Sequence, residues 1–254
     1  MLTGDLAFGL SGVGLSALVV AALCVGFAKT AIGGVASISV ALFAAVLPAR
    51  ESTGVLLPLL LVGDLVAVGA YRRHADWATL LRLSPSVGVG VMLGAVFVAR
   101  VDDAVMRRTI GAVLLMLVAV HLWQRRNRDG DEAADDGSGH GPALFFGSLA
   151  GFTTMVANSG GAVMSLYLLS SGLSMLGFLG TGAWFFFIVN MFKVPFSIGL
   201  DLIRPDSLVL DAVLVPAVLL GALIGRFTIK RIDRSKFEGA VLFFTVVSSL
   251  NLVR

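Results

Sequence analysis

Four side chains capable of ionic or amide chemistry stand inside strongly apolar sequence: Lys29, Asp64, Asn190 and Lys193. Lys29 closes a long apolar run, far from any other basic residue. Asp64 interrupts Leu60-Leu61-Val62-Gly63-Asp64-Leu65-Val66, and Asn190 and Lys193 interrupt the run from Trp184 to Pro195. Asn190 and Lys193 are three apart, so a helix carries both on one face, and Pro195 removes a backbone donor beside them. A lysine with an adjacent amide suits a carboxylate or sulfonate. An acid at the depth of Asp64 pairs with a lysine or carries a coupling proton, with Lys29 and Lys193 as its candidate partners. Ionisable groups at membrane depth are costly and mark solute or proton paths. The plainer alternative for each lysine is snorkelling to the headgroup region.

The second candidate feature is a glycine-broken stretch written twice. Gly26-Phe27-Ala28-Lys29-Thr30-Ala31-Ile32-Gly33-Gly34 precedes a short apolar run to Pro48. Gly151-Phe152-Thr153-Thr154-Met155-Val156-Ala157-Asn158-Ser159-Gly160-Gly161 precedes another, ending at Gly172. Paired glycines weaken a helix, and unpaired backbone at bilayer depth is tolerated only in protein or beside a wet cavity. Broken segments in matching positions of two halves point to a transporter's binding site. New helix N-termini at Gly33-Gly34 and Gly160-Gly161 would attract an anion, with Thr30, Thr153, Thr154, Asn158 and Ser159 adding polar groups. The competing reading is close helix packing through small residues.

These residues need membrane-spanning elements to position them. The chain is 57% hydrophobic and 14% charged, well under the roughly 25% charge of soluble domains. An all-α polytopic membrane protein follows. Ten apolar segments are predicted, near Leu6–Ala28, Val35–Leu47, Gly54–Tyr71, Ser84–Ala99, Val105–Trp123, Ala143–Ala157, Ala162–Leu173, Met175–Phe196, Leu208–Gly225 and Phe237–Val253. The second and seventh, at 13 and 12 residues, fall short of the ~20 that a full span needs. They read as half-helices, re-entrant segments or shielded short spans.

The halves read as homologous repeats of four to five segments each, 1–124 and 142–254, joined by a charged linker at 125–141. Its part from Asp129 to Gly139 has no apolar residue larger than alanine, so it is expected to be disordered. Pro85, Gly90, Gly94, Arg100 and Asp102 recur 131 residues later as Pro216, Gly221, Gly225, Arg231 and Asp233. Thr53-Gly54 recurs as Thr181-Gly182. Such register is a duplication signal. With five crossings per half the second repeat is inverted; with four, both halves face the same way.

Taking every segment as a crossing, Arg72, Arg73, Arg82, Arg125, Arg126, Arg128, Lys230, Arg231, Arg234 and Lys236 share one side. Arg50, Arg100, Arg107, Arg108, Arg204 and Arg254 share the other. The excess makes the first side cytoplasmic and the N-terminus external.

Several classes are excluded. The sequence pI near 9.4 reflects basic segment ends in a membrane protein, not a nucleic-acid partner. The single cysteine, Cys24, allows no intrachain disulfide, and the histidines His74, His121 and His140 are dispersed. No metal site and no cofactor is expected. Phosphate-loop, G-x-S-x-G and H-E-x-x-H motifs are absent, so no catalytic residue is assigned. The first apolar run lacks a basic n-region and outruns a signal peptide. The expected partners are a small anionic solute and the lipid bilayer. A passive channel would need a polar stripe along a segment, and an assembly subunit would show no flux alone; both remain alternatives to a carrier.

Gly26–Gly34 with the run to Pro48 and Ser52-Thr53-Gly54 resembles the first repeat of the sulfite exporter TauE/SafE family. So do the loop Tyr71–Trp77 and the helix carrying Gly90 and Gly94. Gly151–Gly161, Gly180-Thr181-Gly182 and Asn190 with Lys193-Val194-Pro195 resemble the second repeat. The resemblance implies a secondary transporter of sulfite, organosulfonates or related sulfur anions in the bacterial cytoplasmic membrane. Val35 stands where family repeats often carry a third glycine. Asn158-Ser159 replaces glycine-rich sequence, and the usual proline of the short segment is missing. Lys29, Thr30, Gly33, Gly34, Asn158, Ser159, Gly160, Gly161, Asn190 and Lys193 form the expected substrate site, with Asp64 as proton-coupling candidate.

Overall fold

A computed structural model describes residues 10–31, 35–127, 140–228 and 246 of the 254-residue chain. Among the described residues there is no strand. The helices are α1 (Gly12–Thr30), α2 (Ala36–Val46), α3 (Ala49–Tyr71), α4 (Trp77–Arg100), α5 (Asp103–Asn127), α6 (His140–Ala157), α7 (Gly160–Ser170), α8 (Met175–Gly199) and α9 (Pro205–Thr228). A helix satisfies its own backbone, which hydrocarbon cannot do for it. Helix starts are set by side-chain caps: Ser11 on Gly14, Asp76 on Thr79, Asp102 on Val105 and Ser174 on Gly177. Five helices have the length and hydropathy to cross a bilayer: α1, α3 with its terminal turn, α4, α8 and α9.

Most helices begin or end a few residues away from the apolar segments, and α4 starts at Trp77, seven residues before Ser84; two of the shifts enter the expected linker. The fifth helix runs to Asn127, past the expected repeat end at 124, because arginine and glutamine are good helix formers. The sixth begins at His140, inside the expected linker. The rest of that linker and the tenth apolar segment lie outside the described residues.

Specific contacts fix the directions. Ser39 in α2 donates to the Ala21 carbonyl (2.9 Å), and Val46 packs over Gly14. Helix α2 therefore folds back along α1. Helix α3 runs with α1: Gly63 abuts Lys29 and Val25, and Tyr71 at its end donates to the Thr30 carbonyl (3.4 Å). Along α3 and α8, Asp64 meets Asn190, and the Arg72 carbonyl accepts from the Trp184 indole. These two are antiparallel.

Helix α4 runs parallel to α6. Ser86 bonds the Ala143 carbonyl (3.0 Å), Gly90 touches the backbone of Ser148 and Phe152, and Gly94 meets Phe152 and Met155. Helix α9 crosses α1 in the same manner, with Gly221 on the backbone of Leu23 and Gly225 on Phe27 and Thr30. The senses alternate from α1 to α4, and α6 follows α4, so α6 runs opposite to α1. The fourth helix of each half thus packs on the first helix of the other, with opposite polarity.

Glycine is required at these crossings because backbone meets backbone. A Cβ on Gly26 would fall on the Val218 carbonyl, one on Gly151 on the Val87 carbonyl, and one on Gly90 on the Ser148 carbonyl. Small residues permit this approach where apolar burial gives no net drive between helices. Gly88, on the same helix as Gly90, has open space where its Cβ would be. Gly90→Ala and Gly221→Ala should each lower stability in detergent by about 1–3 kcal/mol. Gly88→Ala should be neutral or stabilising by about 0.5–1 kcal/mol. Thermal unfolding of the purified variants checks the contrast.

Candidate functional site

The apolar character of α1, α3 and α8 forces their few polar side chains to find one another. Lys29 Nζ lies 2.6 Å from Asp64 Oδ1, and the carboxylate is fully buried. The other carboxylate oxygen accepts from Asn190 Nδ2 at 2.6 Å. Asn190 turns its oxygen to Lys193 Nζ at 3.3 Å, as the spacing of three on one face dictates. Lys193 Nζ also donates to the Thr154 carbonyl (2.7 Å) and to Asn158 Oδ1 (2.5 Å). Asn158 Nδ2 in turn donates to the Thr53 carbonyl (3.0 Å).

This chain of contacts joins α1, α3, α8 and α6. It starts in the last turn of α1, where Lys29 stands beside the turn to α2, and ends at Asn158, in the turn between α6 and α7. The two turns approach the cluster from opposite directions, because α6 runs opposite to α1: Lys29 lies beside Gly63 of α3 and Asn158 bonds Thr53, earlier on the same helix. Lys29 retains slight exposure, 12% of its side chain, and its ammonium stands 4.6 Å from the centre of the Phe186 ring, a cation–π contact. Gly63 makes room for the lysine stem; a Cβ there would lie 2.9 Å from Lys29 Cγ.

Lys193 is 1% exposed, and among the described residues no carboxylate lies within bonding distance of it. An ammonium has three donors and no acceptor. Here they meet two carbonyl-type amide oxygens and a main-chain carbonyl, so the surroundings match the protonated amine.

Other expected site residues are used differently. The second break falls at Asn158-Ser159, not at the glycine pair. Asn158 adopts φ +50, and Gly160 and Gly161 already belong to the first turn of α7. Asparagine tolerates the left-handed region better than most residues. Gly160 packs against the Ala150 carbonyl and Thr154, and Gly161 faces the Phe186 ring. Thr30 spends its hydroxyl on the carbonyls of Gly26 and Ala222 (2.9 Å to the latter), tying α1 to α9. Ser159 bonds the Ala157 carbonyl (2.9 Å), and Thr153 back-bonds to Leu149. Gly33 and Gly34 lie outside the described residues.

Sequence reasoning passed over the carbonyls of Thr53 and Thr154, and Phe186. Phe186, Asn190 and Lys193 fall on one helical stripe, a signal that could have found the aromatic. Two clefts, of about 380 Å³ along α5 and about 240 Å³ between α4 and α8, have mainly apolar walls. Neither is lined by Lys29, Asp64 or Lys193. Among the described residues no three His, Cys, Asp or Glu side chains gather as a metal site would require.

The family model described as sulfite exporter TauE/SafE matches residues 4–252. The chain belongs to the TauE/SafE family. No curated protein and no solved structure matches it. As a TauE/SafE protein with several bilayer-length helices, it is a multi-pass membrane transporter from a family of sulfur-anion carriers. The polar chain just described is the charged core of that TauE/SafE bundle.

Asn158 links two demands, a left-handed backbone and two side-chain bonds. Asn158→Gly keeps the first and removes the second; Asn158→Ala opposes both. Asn158→Ala should be the less stable variant by roughly 1 kcal/mol, the strain of a Cβ in that region. Melting temperatures of the two purified variants decide this.

Proposed function

We infer that this TauE/SafE protein is a secondary transporter that moves a small anion, sulfite or an organosulfonate, across the cytoplasmic membrane by alternating access. The observation that carries this reading is the unequal pairing of charge at bilayer depth. Lys29 and Lys193 are both held in the core, but of the two only Lys29 bonds Asp64. Among the described residues Lys193 has only neutral acceptors. A buried ammonium without a counter-ion is costly, and an entering anion relieves that cost by replacing one or more of those oxygens.

The inverted course of the two helix sets also supports this reading, since opposed halves with sites at their junction suit alternating access. The first and second halves descend from one duplicated unit. The end of the bundle that holds the α1–α2 turn faces the cytoplasm, consistent with the basic residues there. On this orientation Lys29 is met first by an internal solute, and Asn158 closes the external side. Asp64 couples proton movement by exchanging its lysine partner.

Proteoliposomes loaded with sulfite test the reading. Lys193→Gln and Lys29→Gln should each lower saturable sulfite flux at least about tenfold, with monodisperse protein in both cases. Full flux in both variants would overturn the role of the lysines. Flux that never saturates in the parent protein would favour a channel instead.

A further inference from the structure

The described core gathers two ammonium groups and one carboxylate within a single hydrogen-bonded chain: Lys29 to Asp64, Asp64 to Asn190, Asn190 to Lys193. Among the described residues the other buried carboxylate of the spanning helices, Asp211 on α9, has no hydrogen-bond partner on either oxygen and so bonds none of them. The cluster therefore carries a surplus of one positive charge. We propose that Asp64 sets the valence of the transported solute, so that the site takes up monoanions (an organosulfonate or hydrogensulfite) and discriminates against dianions. This rests on the reading of the lysine pair as the anion site.

The reason is electrostatic. One negative charge brought to a surplus of one positive leaves the core neutral. A dianion leaves an unbalanced negative charge in a low-dielectric region, where ions without partners are strongly disfavoured. Asp64 acts without touching the solute: bonded to Lys29 and Asn190, it cancels one of the two cations in place. Removing its charge frees Lys29 and leaves a surplus of two, which a dianion neutralises. Removing the Lys29 charge as well returns the surplus to one, now on Lys193. The double substitution replaces both members of the ion pair by neutral groups, which buried pairs tolerate far better than loss of one member.

Binding to the purified, detergent-solubilised full chain tests this with two permanently charged probes, methanesulfonate and sulfate, by calorimetry. The parent protein should bind methanesulfonate at least about tenfold more tightly than sulfate. Asp64→Asn should reverse the order, and Asp64→Asn with Lys29→Gln should restore it. Lys29→Gln alone removes the surplus and should weaken methanesulfonate at least about tenfold, with recovery in the double variant; this pair carries the test if Asp64→Asn alone does not fold. An unchanged order of preference in Asp64→Asn, or no recovery of methanesulfonate binding in the double variant, with binding abolished by Lys193→Gln, overturns the valence rule and leaves the anion site standing. Failure of the parent protein to bind either probe overturns both.

Discussion

A single carboxylate, shared between a lysine and an asparagine in the middle of an apolar bundle, is the interaction on which the rest of the architecture turns. Asp64 has no water to fall back on, so its two oxygens must be met by α1 and α8 at once. That requirement brings three helices to one point and fixes how Asn190 is turned. An asparagine that gives its nitrogen to Asp64 can offer only its oxygen to Lys193. The orientation of one amide thus separates the two cations: one is neutralised, and the other is left among uncharged oxygens. The low dielectric that makes such groups expensive also makes each of their hydrogen bonds stronger and fixes their arrangement.

The glycines do a different job. Each pair on α4 or α9 presses backbone against backbone on a helix of the other half, and the threonine and serine hydroxyls nearby, Thr30 and Ser86, bond carbonyls across the same contacts. In a bilayer, where apolar surface gains nothing by leaving lipid for protein, these close approaches and their hydrogen bonds hold the bundle together. The glycine register in the sequence marks these crossings.

Much of this was legible beforehand. Lys29, Asp64, Asn190 and Lys193 stand out because charge is rare in such sequence, and the pairing of the acid with a lysine was foreseeable. Which lysine it takes was not, since that depends on how α1, α3 and α8 pack. The position of the second break was misread by two residues. Gly160-Gly161 is the obvious weak point by propensity, yet the chain turns at Asn158, whose side chain gains two partners there that glycine could not have. Thr53 passed as a mere marker of duplication because its contribution is a main-chain carbonyl, which no side-chain pattern reveals. The glycine pair of the first break lies outside the described residues.

The crossings of α1 with α9 and of α4 with α6 have a mechanical consequence. Helices in backbone contact through glycine cannot slide past each other without opening voids, so each crossing behaves as a riveted joint. Each rivet spans the two sequence halves. Any rocking body must then be assembled from both, α1 carried with α9 and α4 with α6, so that neither half of the sequence can move as a unit by itself.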